Sequence, residues 1–512
     1  VIFKNLEALF NLHKKMKEKM KKVIAFLPYS NKDHSNALIN EFIYHPLVEK
    51  VILIADQNYN NGFTTIVSKS IFSSKAIQKV LQLATADYFL IVTKDTLIQL
   101  NQFALERFIS FAETYDASLL YSDYYDLNGD KKSPHPVQDY LPGSVRDNFN
   151  FGPLLFFSNK KIQQIKKSFG NLSQTNYAGL YELRLRISTE FFQKKNSHPI
   201  LRIPEYLYSQ VETDIRKSGE KLFDYVDPKN REAQIEMEIV FTKFLKQIGA
   251  YLPPKFEKIP HDDVEFPVKA SVIIPVLNRV NTIADAIESV FKQKTNFSFN
   301  CIVVDNHSTD GTTEKLQGLS YKYPKLFHII PKSKTLGIGG CWNEAIFHER
   351  CGKYSVQLDS DDIYADENTL QRIVDLLDTG KYAAVIGSYK MVNFDLKEIP
   401  PGIIDHREWT DNNGRNNALR INGLGAPRAY RTSLLRNIKF PNVSYGEDYA
   451  VCLEISRKYK IGRIYEPIYL CRRWEGNTDS QLSVQAENQH NFYKDTIRTK
   501  EIFDRIKYLK GK

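Results

Sequence analysis

The chain has 512 residues, 42% of them hydrophobic and 25% charged, a balance that excludes wholesale disorder. No apolar run approaches the roughly 18 residues of a membrane span. The five Cys never fall in a C-x-x-C spacing, which excludes a disulfide framework and a thiolate zinc site. Net charge is +10, of which residues 1–22 hold +5 and residues 494–512 hold +4. The body is therefore nearly neutral and lacks the basic face of a nucleic-acid-binding domain. The opening residues show no apolar stretch followed by a cleavage site, so the expected location is cytoplasmic.

In chain order, residues 1–21 read as a basic amphipathic helix. Ile2, Leu6, Leu9, Met16 and Met20 share a stripe, and Lys14, Lys15, Lys17, Lys19, Lys21 and Lys22 crowd its end. Such a helix either lies on an anionic membrane surface, here the inner face of the plasma membrane, or packs on its own protein with a solvated Lys face. Strands and helices then alternate, the signature of α/β domains with mostly parallel sheets. Expected strands are Lys22–Pro28, Val51–Asp56, Tyr88–Val92 and Ala117–Tyr121. The same order returns with Ala270–Val276, Asn300–Asp305, Tyr354–Leu358 and Ala383–Tyr389. NYAGLYELRLRIS (176–188) aligns without a gap on SYGEDYAVCLEIS (444–456), and each precedes a similar strand, IPEYLY at Ile203 and IYEPIYL at Ile464. This predicts two copies of one domain, 22–213 and 269–482. Residues 214–268 are expected to form a helical and Pro-rich linker, and residues 483–512 a basic helix open to the same peripheral membrane contact as residues 1–21.

Four elements of the second copy carry chemistry. SVIIPVLNR (271–279) is a strand running into a polar turn. VVDNHSTDGT (303–312) ends a strand on an acid, followed by small residues. LDSDD (358–362) crowds Asp359, Asp361 and Asp362 at another strand end. Ligands of open α/β sheets bind beyond the carboxyl ends of strands, and crowded carboxylates favour a divalent cation. YGED (445–448) opens a helix, where the dipole stabilises a carboxylate. Each element alone is weak, because acids also favour turns and helix starts for structural reasons. Together, in this order, they are specific.

These motifs, over about 270–480, resemble the inverting family-2 glycosyltransferases of the GT-A (nucleotide-diphospho-sugar transferase) fold. The resemblance implies two tandem GT-A-like α/β domains, the C-terminal one catalytic. It implies that Pro275 and Leu277 line the nucleotide pocket and that Asp305 and Asn306 contact the base. Asp359 would face the ribose or the metal, and Asp361 would ligate Mn2+ or Mg2+ and the diphosphate. Asp448 would be the catalytic base, with Glu447 as orienter or as the base itself. The donor would be a UDP- or GDP-sugar and the acceptor a glycan or lipid-linked glycan.

Three positions depart from the family pattern. Asn306 replaces a second acid. Trp342, in TLGIGGCWNEA (335–345), replaces an Arg and is expected to pack in the core. Trp474 stands where many members place a metal-reaching His, so Arg472 or Arg473 is expected to hold the diphosphate.

In the first copy Thr93-Lys94-Asp95-Thr96 aligns with the acidic strand end, and Gly179-Leu180 with Glu447-Asp448. Only Asp95 and Asp56 survive, so this copy is expected to be degenerate, serving assembly or acceptor binding. The alternative is activity through Asp123, Asp126 or Glu182. A non-catalytic scaffold is the rival for the whole chain. A nucleotidyltransferase is disfavoured, since PVLNRVNT (275–282) lacks the Gly-rich basic loop that such enzymes place after the first strand.

Overall fold

The computed structural model describes residues 21–211, 230–262, 264–474 and 482–511. The expected helix over 1–21 lies almost wholly outside them. The described chain divides into two compact units.

In the first unit, the strands are β1 (Val23–Pro28), β2 (Val48–Ala55), β3 (Thr64–Val67), β4 (Tyr88–Val92), β5 (Ile98–Leu100), β6 (Leu119–Asn128), β7 (Lys131–His135), β8 (Leu154–Ser158) and β9 (Ile200–Val211). They form one sheet in the order β3-β2-β1-β4-β8-β6-β9-β5, with β7 paired to β6. The run β3-β2-β1-β4 is parallel, and β8 lies antiparallel between β4 and β6. Apolar runs such as VIAFLP in β1 are buried over five successive residues, as expected of strands covered on both faces.

The second unit contains β10 (Ala270–Val276), β11 (Phe299–Asp305), β12 (Leu326–Ile329), β13 (Tyr354–Gln357), β14 (Ile363–Tyr364), β15 (Ala384–Val392), β16 (Glu398–Ile404), β17 (Arg428–Arg431) and β18 (Ile461–Arg472). Its order is β12-β11-β10-β13-β17-β15-β18-β14, with β16 paired to β15. This is the same topology strand for strand. The aligned helices also match: one begins at Gly179, the other at Glu447. Helix faces follow the 3.6-residue period; in Thr369–Asp378 the buried residues include Leu370, Ile373, Val374 and Leu377.

The expected linker is shared between the units. From Ile235 the helix Arg231–Gln247 belongs to the first, where Glu236 accepts from the backbone of Asn176 and Tyr177 and Phe244 packs on Phe192. The following Pro-rich stretch belongs to the second, with Leu252 tied to Asn416 and Asp262 to Ser433. The C-terminal helix Val484–Lys510 differs from a free basic surface: Lys494, Arg498 and Arg505 are buried, together with Asp495 and Glu501. All five Cys are free thiols. No helix among the described residues is long and apolar enough to cross a membrane.

Candidate active site

The carboxyl ends of β10, β11 and β13 open into a cleft of about 650 Å³ in the second unit. That size suits a small-molecule ligand. Pro275, Leu277, Asn306, Asp359, Asp361, Glu447, Asp448 and Arg473 all line it.

Asn306 follows the last residue of β11. Its Nδ2 donates to the Leu336 carbonyl at 2.8 Å, which fixes the orientation of the amide, and its buried Oδ1 has no partner. A buried acceptor left open in a cleft calls for a donor from a ligand. Asp305 behaves differently. It is wholly buried and accepts from Ser308 N at 2.9 Å and Thr313 Oγ1 at 2.5 Å, with His328 Nε2 at 3.4 Å. Burial opposes its charge, but the bonds from His328, Thr313 and Ser308 outweigh burial and hold the carboxyl well below its usual range. Asp305 organises the turn after β11.

The three acids after β13 turn different ways. Asp359 accepts from Gln357 Nε2 at 2.9 Å, and its N–H donates to Tyr469. Burial raises its carboxyl, partly offset by the nearby Arg428. Asp362 accepts from the Arg472 N–H at 2.7 Å; burial and then repulsion from Asp361 and Asp359 push it well up. Asp361 is reached by Trp474 Nε1 at 3.3 Å and Arg279 Nε at 3.7 Å. Among the described residues no group of three or more His, Cys, Asp or Glu converges on one point. A Mg2+-like ion needs only one or two carboxylates when substrate phosphates complete its shell. The mutual repulsion of these acids is what such an ion relieves, so Asp361 fits the role of ligand.

Of the two arginines named as alternatives for the diphosphate, Arg472 is the one turned into the protein. It is 3% exposed, and its Nη1 is paired with Asp285 at 2.7 Å. It braces the acidic turn and is absent from the cleft wall, which is lined instead by Arg473 and by Arg279. Trp342 packs as expected, stacked on Phe440 at 5.1 Å with its edge toward Tyr430. The glycines of TLGIGGCWNEA let this helix approach the segment before YGED: a β-carbon at Gly337 would lie 2.5 Å from the Val443 carbonyl carbon.

Glu447 and Asp448 begin the helix Glu447–Lys458, entered through Gly446 at φ +84°. Asp448 Oδ2 is 2.8 Å from Arg428 Nη1. Glu447 is 8% exposed, and its Oε2 has no partner. Burial and then the Asp448 charge push its carboxyl up to about 8. The folded protein thus keeps a proton that the unfolded chain releases near the usual Glu value. Stability from this group is full below that value and is lost as pH rises through about 8. Glu447→Gln, which never ionises, should gain on the wild type between pH 5 and pH 9 by on the order of 2 kcal/mol. Thermal denaturation across that range checks this; parallel curves refute it.

The sequence reading missed three groups. Arg428 arrives on β17. His406 lines the cleft, with Nδ1 2.6 Å from Glu408 Oε1. Burial opposes the Glu408 charge, but His406 overrides it and holds the carboxyl at about 2. Arg279 lies in the polar turn after β10, where the motif assigns it no role. No local pattern marks these residues, because antiparallel pairing and the β16 hairpin bring the first two to the cleft.

Residues 271–438 match the family model "Glycosyl transferase family 2". The second unit carries a family 2 glycosyltransferase domain. Its sheet places the cleft at the carboxyl ends of β10, β11 and β13, where open α/β sheets bind their ligands. An uncharacterized glycosyltransferase of Rickettsia felis is 31% identical over 199 residues, 38% of this chain and 31% of the relative. The poly(ribitol-phosphate) beta-glucosyltransferase of Bacillus spizizenii is 25% identical over 237 residues, 45% of this chain and 36% of the relative. The chain thus spans about a third of the length of these curated relatives. Among solved structures, S. aureus TarS 1-349 in complex with UDP-GlcNAc is 22% identical, with 45% of this chain and 66% of that chain covered at a TM-score of 0.37.

In the first unit the corresponding positions are spent on the protein itself. Asp95 accepts from Ser35 Oγ at 3.0 Å and lies 3.1 Å from His34 Nε2. Asp56 accepts from Tyr59. Asp123 is gripped by Arg202 at 2.6 and 2.8 Å, Asp126 by His135, and Glu182 by Arg186 and Ser173. Gly179 serves close packing, since a β-carbon there would lie 2.4 Å from Ser74 N.

Proposed function

We propose that the transferase domain moves a sugar from a UDP- or GDP-sugar to a hydroxyl of a glycan or lipid-linked glycan, inverting C1, with Mn2+ or Mg2+ as cofactor. The observation that carries this reading is the meeting of Asn306, Asp361, Glu447 and Asp448 in one cleft at the strand ends. A polyol-phosphate polymer, of the kind named for the Bacillus relative, belongs among the acceptors to test. Peripheral membrane contact at the cytoplasmic face is proposed for the basic residues of the N-terminal segment.

Asn306 Oδ1 accepts from an N–H of the nucleobase, between Pro275 and Leu277. Asp361 would hold the cation, which supplies positive charge against the departing diphosphate. Arg279 and Arg473 line the same cleft and add to that charge. Asp448 takes the proton of the acceptor hydroxyl. The acceptor oxygen bonds to C1 as the bond from C1 to the diphosphate oxygen breaks, and the diphosphate leaves with the electron pair. Arg428 fixes the Asp448 carboxylate through Oδ2, leaving Oδ1 for the proton. Glu447, neutral below about pH 8, is the preceding residue on the same helical turn.

The first unit is proposed to be a degenerate copy that binds acceptor chain or partners without transferring sugar. Calorimetric titration of the full chain with UDP, GDP and their sugars, with and without Mn2+, tests both proposals. One nucleotide class should bind, more tightly with Mn2+. Asp95→Asn should leave that binding within about twofold, a change below 0.5 kcal/mol. Absence of binding by any nucleotide would favour the scaffold reading, and loss of binding in Asp95→Asn would place a donor site in the first unit.

A further inference from the structure

The turn that delivers Glu447 and Asp448 rests on a buried lysine from the C-terminal helix. Lys494 is 8% exposed. Its Nζ donates to the Asn422 carbonyl at 2.6 Å and lies 4.3 Å from the Tyr445 ring centroid and 5.8 Å from that of Tyr449. Its stem runs under the Gly446 turn: a β-carbon at Gly446 would lie 3.3 Å from Lys494 Cγ and 3.5 Å from Cε. The helix around it is anchored by charge. Arg498 pairs with Asp495 at 2.7 Å and donates to the Tyr449 hydroxyl at 3.1 Å and to the Ile421 carbonyl at 2.8 Å. Arg505 pairs with Glu501 and donates to the Arg415 carbonyl.

A buried ammonium is tolerated when opposite charge compensates it. The charged and titratable groups facing Lys494 are Asp448 and Glu447 from their helix, Arg428 from β17, and Arg498 and His490 from its own helix, with the rings of Tyr445 and Tyr449. Among these, only the two proposed catalytic acids can carry negative charge against the ammonium. For packing alone, an apolar side chain of equal length would serve without the cost of burying charge.

We propose that Lys494 is a positioning residue for sugar transfer: it sets the Tyr445–Gly446 turn and stabilises negative charge on the Glu447–Asp448 pair, making the C-terminal helix part of the catalytic unit. This rests on the transferase reading above. Burial lowers its ammonium to about 8, with Asp448 and Glu447 opposing that shift and Arg498 and Arg428 adding to it, so the charge is lost within an accessible pH range.

The test uses the full chain with Lys494→Met and Lys494→Arg. Lys494→Met should lower kcat about tenfold, with the donor KM within about twofold. Lys494→Arg should recover most of kcat, and the fall in activity above about pH 8 should move to higher pH, because Arg does not lose its proton. Wild-type kcat in Lys494→Met overturns the proposal. So do equal losses in both variants with an unshifted pH profile, which would make Lys494 a packing residue. A double-mutant cycle of Lys494→Met with Asp448→Asn, read by thermal denaturation, needs no turnover. The double variant should lose less than the sum of the singles, and additivity contradicts the proposal. Absence of turnover in the wild type would count against the transferase reading, and the cycle would then decide Lys494 by itself.

Discussion

Asp448→Asn lowers kcat for sugar transfer by about 10²–10⁴-fold, the usual contribution of a positioned general base, while the donor Kd stays within about twofold. Asp448 sits at the first turn of its helix, in the same cleft as the acidic strand end proposed for the diphosphate, and its Oδ2 is committed to Arg428. The Asn amide keeps the shape of the side chain and removes its capacity to accept a proton. A loss confined to kcat identifies an interaction made in the transition state. Single-turnover kinetics beside donor titration separates the two constants. Retained transfer would move the base to Glu447, whose Oε2 is buried and without a partner. In that case activity should rise with pH toward about 8, where Glu447 loses its proton.

Asp361→Ala has the other large effect, and it acts on binding as well as rate. Asp359 is turned to Gln357, and Asp362 accepts the Arg472 N–H. Asp361 is the acid fitted to hold an ion beside the diphosphate. Its removal should abolish the Mn2+-dependent part of donor affinity and lower turnover by at least about 10²-fold, equivalent to about 2.7 kcal/mol. It also frees Arg279 and Trp474 Nε1, which reach the same carboxylate, so affinity without metal should change little. Titration with and without Mn2+ reads both quantities. Equal Mn2+ dependence in wild type and variant would assign the ion elsewhere.

Much of this arrangement was legible in the sequence because it is local. Strand-end acids, a Gly before two acids at a helix start, and an ungapped repeat of helix and strand are all read from neighbours in the chain. The two sheets share one strand order, as that repeat requires. What was not legible depended on distant partners. Asp305 looks like a ligand-facing acid until His328, 23 residues on, and Thr313 consume its oxygens. Arg472 looks free until Asp285 claims it across 187 residues. Arg428 and His406 have no motif of their own and become part of the site through strand pairing. The basic C-terminal helix was read from its charge alone, whereas Lys494, Arg498 and Arg505 face inward to acids and carbonyls. The linker helix was placed between domains by composition, and its contacts with Asn176, Tyr177 and Phe192 assign it to the first unit.

The central claim is that sugar leaves its nucleotide in the cleft of the second unit. The most direct measurement is release of nucleoside diphosphate from a panel of UDP- and GDP-sugars with Mn2+ and a polyol-phosphate or glycan acceptor. It compares the wild type with Asp361→Ala, Asp448→Asn and Asp95→Asn. Release from one donor class is expected of the wild type and Asp95→Asn, and its loss in both Asp361→Ala and Asp448→Asn. Release that persists in both cleft variants, or that disappears in Asp95→Asn, would contradict the claim.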